Sequence, residues 1–108
     1  MIIKNKKDSF NVDHYKTTLK HLRGLILKRV KNDGALFEFK KEVYVALHTF
    51  FVLRKIDIVY LDKNKVVTKI RKNILPFTLY IPYTKCNYIL ELKNSKNIKL
   101  KDKLKFKE

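Results

Sequence analysis

The stretch ALHTFFVLRKIDIVYLD, residues 46–62, is the longest apolar segment of a chain that is otherwise crowded with lysine. Its second half alternates, so that Ile56, Ile58 and Tyr60 lie on one side of an extended chain and Asp57 begins the other side. This period of two predicts a β-strand. The sequence DKNK then predicts a tight turn into a second alternating strand, VVTKIRK. A β-hairpin is therefore the centre of the predicted fold.

Further alternating segments lie on both sides of this hairpin. ALFEF, VYVALHTFF and CNYILEL are predicted strands, with a turn at NDG before the first and a turn at KKE before the second. NILPFTLYIPY contains two prolines, so it is predicted to be an extended or looping excursion on the surface. About six or seven short strands separated by frequent turns indicate a small barrel-like or sandwich-like sheet.

One short helix is predicted near the N-terminus, in HYKTTLKHLR. Asp13 is a suitable N-cap, apolar residues follow it at helical spacing, and Gly24 is a suitable C-cap. The predicted fold class is therefore β-rich α+β. The length predicts one domain, residues 1–108, with residues 13–106 as the globular core and residues 1–12 as a loose arm or an edge strand.

The alternation also predicts which side chains form the core. They are large apolar residues on the expected inward sides of the strands, together with one residue from the segment after the helix. The predicted core consists of Leu25, Leu36, Phe37, Phe39, Val45, Leu47, Phe51, Ile58, Tyr60, Val67 and Leu90.

The composition bears on compartment, cofactors and catalysis. No apolar run is long enough to span a bilayer and the N-terminus lacks the apolar core of a secretory signal, so a soluble cytoplasmic protein without a membrane partner is expected. The single cysteine, Cys86, excludes an internal disulfide and gives no zinc-cluster spacing, so neither a metal nor a cofactor is expected. Common catalytic motifs are absent, which favours a non-catalytic protein over an enzyme. Abundant lysine without glutamine is also found in thermophiles.

The formal net charge of +16 has two interpretations. One is an anionic partner, either a nucleic acid or an acidic protein. The other is a coding bias that places many lysines on a solvated surface. Lys outnumbers Arg 22 to 4 in this chain, whereas proteins that recognise bases and phosphates rely on the bidentate guanidinium group of arginine. The charge is uneven: residues 32–62 carry four basic and five acidic groups, whereas residues 63–85 carry six basic groups and no acidic one.

A nucleic-acid site is predicted in the second of these segments. Single strands are held by aromatic rings that stack on bases and by cations that follow the phosphates, and the segment interleaves both residue types. In the alternative, the rings cover one end of the sheet beneath a proline-containing loop. The candidate nucleic-acid-binding residues are Arg71, Lys72, Phe77, Tyr80, Tyr83 and Lys85.

Four sequence elements occur in an order that resembles a known family. LRGLILKR resembles the RGLMFR element of the family called domain of unknown function 192. The long segment ALHTFFVLRKIDIVYLDKNKVVTKI takes the place of the family's WMKNT, LDVIFLD and VVEI elements. Within this segment, Thr49, Asp57 and Asp62 match the threonine and the two aspartates of the family. YILEL resembles its YVLEL, and IKLKDKLKF its closing GIKVGDKV, although the family's tryptophan is missing. The resemblance covers about residues 19–106. It implies a small β-rich barrel-like domain with one helix, and little chemistry.

A ligand pocket is the second candidate site. Asp57 lies in the least basic part of the chain, where a partly desolvated carboxylate must find donors or a ligand to stay ionised. Arg23, His48 and Thr49 are the candidate partners, Arg23 as a bidentate anion clamp and His48 as a proton carrier. In the structural alternative, Asp57 accepts backbone amides.

Three functions follow from these candidates. A non-catalytic binding or accessory module is favoured, because catalytic motifs are absent. A nucleic-acid-binding protein that acts through its lysine-rich flanks is the first alternative. A small enzyme with a pocket around Asp57, His48 and Arg23 is the second.

Overall fold

The computed structural model describes residues 1–17, 25–26, 32–48, 54–78 and 81–108, with side chains described in residues 1–16, 32–45, 54–78 and 84–108. Eight strands lie in the described residues, and no helix does. They are β1 (Ile2–Lys4), β2 (Ser9–Thr17), β3 (Leu25–Ile26), β4 (Gly34–His48), β5 (Ile56–Leu61), β6 (Val67–Ile74), β7 (Ile81–Leu92) and β8 (Lys105–Lys107). The predicted β-rich fold is confirmed. No helix in this part of the chain is long and apolar enough to cross a membrane.

Seven of the strands form one path in the order β6-β5-β7-β4-β2-β1-β8, and β3 pairs with β4 beside it. The pairs β2–β4 and β3–β4 are parallel, whereas the other pairs are antiparallel. The sheet curls into a half-barrel, and the segment before β8 reaches the start of β6. There the Val67 amide donates to the Asp102 carbonyl at 2.8 Å and the Leu104 amide donates to the Lys65 carbonyl at 3.0 Å.

The predicted central hairpin is confirmed as β5–β6. Its turn is closed by Asp62, whose Oδ1 accepts hydrogen bonds from the Asn64 amide at 2.8 Å and the Val66 amide at 3.1 Å. All six residues of β5 are buried, so both faces of this strand are covered by other parts of the chain. Burial on both faces is the physical reason that the central stretch carries so little charge.

Two apolar clusters lie on opposite faces of the sheet. The inner-face cluster joins residues from the two ends of the strand path and from the C-terminal segment, so it fills the curl of the half-barrel; it contains Ile3, Phe10, Val12, Leu36, Val59, Leu61, Val67, Leu90, Leu92, Ile98 and Leu104. The outer-face cluster contains Phe39, Val43, Val45, Ile56, Ile58, Tyr60, Cys86 and Ile89.

Most of the predicted core is buried. The confirmed members are Leu36, Phe39, Val45, Ile58, Tyr60, Val67 and Leu90. Phe37 is partly buried, and the side chains of Leu25, Leu47 and Phe51 lie outside the described residues. The predicted core omits the apolar residues of both chain ends, since the sequence predicts an edge strand or a loose arm over residues 1–12. In the structure β1 lies between β2 and β8, and Ile3 is fully buried.

The predicted N-terminal helix is wrong in the part that the structure describes. Residues 13–17 continue β2, which pairs in parallel with β4 from Val12 opposite Gly34 to Thr17 opposite Phe39. Tyr15 stacks on Phe37 across this pair, with 5.4 Å between the ring centroids. Pairing along a whole strand therefore outweighs the local helical spacing. Leu19, Leu22 and Gly24 lie outside the described residues.

Of two further predictions, the turn at KKE is wrong and the excursion at NILPFTLYIPY is correct only in part. The KKE sequence is part of β4, where a register shift between Glu38 and Val43 absorbs the extra residues as a bulge rather than a turn. The proline-containing stretch leaves the sheet only after Ile74, and β7 begins at Ile81 with Pro82 inside it. β4 and β7 pack so closely that a Cβ at Gly34 would overlap the Glu91 carbonyl, so this position requires glycine.

Candidate functional site

Asp57 is held by two backbone amides. Its Oδ1 accepts a hydrogen bond from the Asn73 amide at 2.9 Å, and its Oδ2 accepts one from the buried Ser95 amide at 2.8 Å. Asn73 adopts a positive φ of 57°, at the register shift between β5 and β6. The carboxylate therefore joins β5 to the end of β6 and to the turn after β7. These contacts fit the structural alternative for Asp57.

The described backbone does not bring His48 close to Asp57. His48 ends β4 one residue beyond Leu47, which pairs with Ile81 at the start of β7, whereas Asp57 pairs with Leu92 at the end of β7. The side chain of His48 is outside the described residues, and so are Arg23 and Thr49. A shared site of these four residues stays a prediction.

Where the structure describes them, the predicted nucleic-acid-binding residues are spread over two strands and a turn. Arg71 and Lys72 lie on β6, whereas Lys85 lies on β7 and its Nζ is 3.2 Å from Glu42 Oε1. This contact with Glu42 raises the pKa of Lys85 and neutralises its charge locally. Phe77 is exposed in the turn after β6. The side chains of Tyr80 and Tyr83 lie outside the described residues.

A different group of polar atoms is buried on the outer face. Among the described side chains, four buried polar atoms have no hydrogen-bond partner: Tyr60 Oη, Arg71 Nε, Glu91 Oε1 and Ser95 Oγ. Ile58 pairs with Arg71 on one side and with Glu91 on the other, so these two side chains share a face with it. Tyr60 lies on the same face, two residues further along β5. We call Tyr60, Arg71 and Glu91 the buried polar cluster.

Glu91 is the most unusual member of this cluster. Its side chain is 1% exposed, and its cross-strand neighbours are Ala35 and Ile58. Burial without a hydrogen bond to its Oε1 raises the pKa of the carboxyl group from 4.5 to about 8. Glu91 is therefore protonated and neutral at pH 7, and it can donate a hydrogen bond.

The charge and hydroxyl groups that share this face of the sheet with Glu91 favour an anion. Arg71 forms no ion pair with a carboxylate of the described residues, so the cluster carries one uncompensated positive charge at neutral pH. Burial raises the pKa of Tyr60, although Thr84 and Arg71 lie near enough to lower it in part without completing a well-formed bond to Oη. Tyr60 is therefore a neutral donor as well.

Cys86 lies in the outer-face cluster but is not activated. Burial, together with the charge of Glu42, raises the pKa of its thiol to about 12. A thiol with this pKa is not a nucleophile at neutral pH, since the thiolate is the reactive form. No group of three His, Cys, Asp or Glu residues in the described part of the chain could hold a metal ion.

Comparison with known proteins places the chain in a family. The model of the DUF192 family, described as Uncharacterized ACR, matches residues 1–105. The chain belongs to the DUF192 family. The resemblance in the four sequence elements is thereby confirmed over nearly the whole chain.

Two curated relatives are similar to this chain in sequence, and one crystal structure is similar to it in fold. A UPF0127 protein of Pyrococcus horikoshii is 29% identical over 93 residues, which cover 82% of this chain and 80% of the relative. A UPF0127 protein of Thermococcus sibiricus is 32% identical over 77 residues, which cover 69% of this chain but only 49% of the relative, so the match spans about half of that protein. The crystal structure of a protein of unknown function from Novosphingobium aromaticivorans shares the fold, with a TM-score of 0.75, 17% identity and coverage of 97% of this chain and 82% of that chain.

Sequence reasoning missed two members of the buried polar cluster in this DUF192 chain. The sequence predicts Tyr60 only as a core residue, and Glu91 is not among the predicted site residues. The available signal was the position of Glu91 between Leu90 and Leu92 in the family-like strand YILEL, where a charged residue interrupts an apolar run. Arg71 was predicted as a binding residue, but for a different ligand.

Substitution of Glu91 by Gln is expected to change how stability depends on pH. Between pH about 4.5 and about 8, the unfolded chain releases the Glu91 proton while the folded chain keeps it, so wild type loses stability as pH rises through this window. By pH 7 the free energy of unfolding of wild type has fallen by roughly 3 kcal/mol for this reason. The Glu91→Gln variant does not show this decrease, because its side-chain amide does not ionise.

Urea unfolding of wild type and Glu91→Gln at pH 5 and pH 8 measures this difference. The variant is expected to gain stability relative to wild type at pH 8. Parallel pH profiles for the two proteins would mean that Glu91 ionises as an ordinary carboxyl group. The difference between the two proteins at each pH removes the contribution of every other titrating group, because those groups are common to both.

Proposed function

We propose that this DUF192 chain is a non-catalytic binding module that holds a small carboxylate-bearing molecule at the buried polar cluster. The observation that carries the proposal is the presence of three unpartnered buried polar atoms on one face of three adjacent strands: Tyr60 Oη, Arg71 Nε and Glu91 Oε1. Buried polar groups are normally hydrogen-bonded, and three exceptions on one face of neighbouring strands indicate a missing partner.

The chemistry of the three groups selects an anion. A carboxylate only accepts hydrogen bonds, and it can take several at its two oxygens. Arg71 supplies the compensating charge and N–H donors in a planar fork. Protonated Glu91 and neutral Tyr60 supply O–H donors, so the ligand would be neutralised and bonded without a second ionised side chain.

The same groups are poorly suited to catalysis. Glu91 holds its proton at neutral pH, Cys86 is a protonated thiol, and both oxygens of Asp57 are occupied by backbone amides. A general base or nucleophile needs a free and correctly ionised group. This supports binding over the alternative of a small enzyme around Asp57.

Isothermal titration of the full chain with acetate, pyruvate, succinate and inorganic phosphate at pH 7 tests the proposal. At least one carboxylate is expected to bind wild type, and Arg71→Met is expected to bind it at least about tenfold more weakly, since a charge-assisted bond contributes about 1.5–3 kcal/mol. Lys72→Met is the matched control, because Lys72 is the exposed neighbour of Arg71 on β6 and carries the same charge. Its affinity is expected to equal that of wild type.

A pH series distinguishes this cluster from a diffuse attraction of anions. Binding to wild type is expected to weaken above pH about 8, where Glu91 ionises and repels the carboxylate, whereas Glu91→Gln loses that dependence. The proposal is overturned if none of the three carboxylates binds, or if Lys72→Met weakens binding as much as Arg71→Met does.

A further inference from the structure

A second polar site lies at the end of the β1–β8 pair where β1 ends and β8 begins. A cavity of about 180 Å³ separates the turn between β1 and β2 from the loop that precedes β8. It is lined by Asn5, Lys6, Lys7, Asn97, Lys99, Asp102 and Lys103. We call it the lysine pocket. Four of its seven lining residues are lysines and one is acidic, so its walls are strongly positive.

The walls of the lysine pocket are held in place by hydrogen bonds to the backbone. Asn5 Oδ1 accepts from the Lys7 amide at 2.9 Å, and Asp102 Oδ2 accepts from the Lys99 amide at 2.8 Å. Asp8 Oδ2 accepts from the Asn97 amide at 3.1 Å and so connects the two walls. The acidic side chains at this site therefore fix the loops.

The four ammonium groups remain without an acidic partner. None of Lys6, Lys7, Lys99 and Lys103 forms an ion pair with a carboxylate in the described part of the chain. All four side chains are exposed at the mouth or walls of the pocket. An accumulation of unpaired cations costs self-repulsion, which a bound anion would relieve.

A row of lysines extends from the pocket along β8. Lys103, Lys105 and Lys107 alternate with apolar residues that are buried or half-buried, so the lysines share the exposed side. Lys4 of β1 stands directly opposite Lys105 in the register. Like charges directly opposite each other are destabilising. This arrangement is unfavourable for the isolated chain and favourable for a chain that binds an extended polyanion.

We propose that the lysine pocket and strand β8 bind the phosphodiester backbone of a nucleic acid without reading its base sequence. Residues two apart on a strand are separated by about 6.8 Å, which is twice the 3.4 Å axial spacing of phosphates in one strand of DNA. The pocket is smaller than the cavities of about 300 Å³ or more that enclose whole small-molecule ligands. A phosphate group fits it, with the remainder of the polymer outside.

The residue types explain why the binding does not read sequence. The pocket is lined by lysines and contains neither arginine nor an aromatic residue. Lysine interacts with phosphate as a point charge, whereas base edges are read by planar groups and bases are stacked by aromatic rings. The surface also differs from the predicted set that includes Arg71 and Phe77. It is independent of the buried polar cluster, which lies on the outer face of β5, β6 and β7.

Fluorescence anisotropy with labelled single-stranded and duplex DNA oligonucleotides of mixed sequence tests the inference. Wild type is expected to bind both, more weakly in 200 mM than in 50 mM salt. Replacement of Lys6, Lys7, Lys99 and Lys103 by Gln is expected to weaken binding at least about tenfold and to reduce the slope of log affinity against log salt by about 3.

The matched control removes the same number of positive charges from four exposed lysines outside the lysine pocket. It replaces Lys40, Lys41, Lys55 and Lys63 by Gln. The control is expected to retain most of the affinity and slope, and Arg71→Met is expected to bind DNA like wild type even if the carboxylate proposal fails. Thermal unfolding of each variant verifies that it is folded.

Three results would overturn the inference. The first is an equal loss of affinity in the two quadruple variants, which would mean that only the total charge matters. The second is sequence-selective binding that persists in 200 mM salt, which lysine point charges do not explain. The third is tighter binding to vesicles of anionic lipid than to either oligonucleotide, because Leu100 is exposed beside Lys99 and could insert into such a surface.

Discussion

Truncation of Tyr60 to alanine is expected to lower the free energy of unfolding by about 3–5 kcal/mol. Tyr60 is fully buried and is the largest fully buried side chain of the described residues. It belongs to the outer-face cluster, where its ring packs among aliphatic side chains and the space left by truncation cannot be filled by a neighbour without rearrangement. Urea unfolding at a fixed pH measures the loss.

The Tyr60→Phe variant distinguishes the contribution of the ring from that of the hydroxyl group. The ring is retained, and the hydroxyl has no completed hydrogen bond, so this variant is expected to unfold within about 1 kcal/mol of wild type in the absence of ligand. It is also expected to bind the carboxylate probe more weakly, because one donor is lost. A loss below about 1 kcal/mol for Tyr60→Ala would mean that β5 does not bury the face assigned to it.

Substitution of Asp57 by alanine is expected to have the second large effect, about 3–5 kcal/mol. Each of its two bonds to backbone amides is charge-assisted, and such bonds contribute about 1.5–3 kcal/mol. Without the carboxylate, the Asn73 and Ser95 amides lose their acceptors, and Asn73 loses the contact that holds its positive φ. Thermal and urea unfolding of the full chain measure the effect.

Asp57→Asn is the informative companion variant. It keeps one acceptor oxygen and the shape of the side chain, so its loss is expected to be about half that of Asp57→Ala. Its affinity for the carboxylate probe is expected to equal that of wild type, because Asp57 contacts the turn after β7 and not the buried polar cluster. Unchanged stability together with lost carboxylate binding would instead make Asp57 part of the ligand site.

The central hairpin could be predicted from the sequence because its signals are local and agree with one another. Strict alternation in IDIVYL fixes the two faces, and Asp62 closes the following turn through its own side chain. The predicted N-terminal helix failed for the opposite reason. Residues 13–17 have helical spacing locally, but they pair with a strand more than twenty positions away, and no local pattern encodes that pairing.

The long strand β4 and the chain ends could not be predicted for related reasons. KKE is a sequence that favours turns, yet the bulge between Glu38 and Val43 accommodates it inside one strand. The N-terminal segment is poor in apolar residues, and only the assembled half-barrel shows that Ile3 and Phe10 fill its inner face together with Leu104. Each of these features depends on contacts between distant parts of the chain.

The candidate site was only partly accessible to sequence reasoning. Asp57 could be recognised as a carboxylate that needs partners, but its partners are backbone amides, which have no residue identity in the sequence. Arg71 and Glu91 are twenty residues apart in the sequence, and they share a face of the sheet only because both pair with Ile58 in the register. Their missing hydrogen bonds are a property of the packed structure alone.

The measurement that tests the central claim most directly is an NMR titration of the Glu91 side chain. The protein is labelled with ¹³C at the glutamate carboxyl carbon, and the Glu91→Gln variant assigns the signal. Without a probe, the pKa is expected at about 8. With saturating carboxylate probe it is expected to rise further in wild type, because a bound anion favours the protonated form, and to stay unchanged in Arg71→Met. A pKa in the ordinary range near 4.5, or one that the probe does not move, would contradict the account of the buried polar cluster as an anion-binding site.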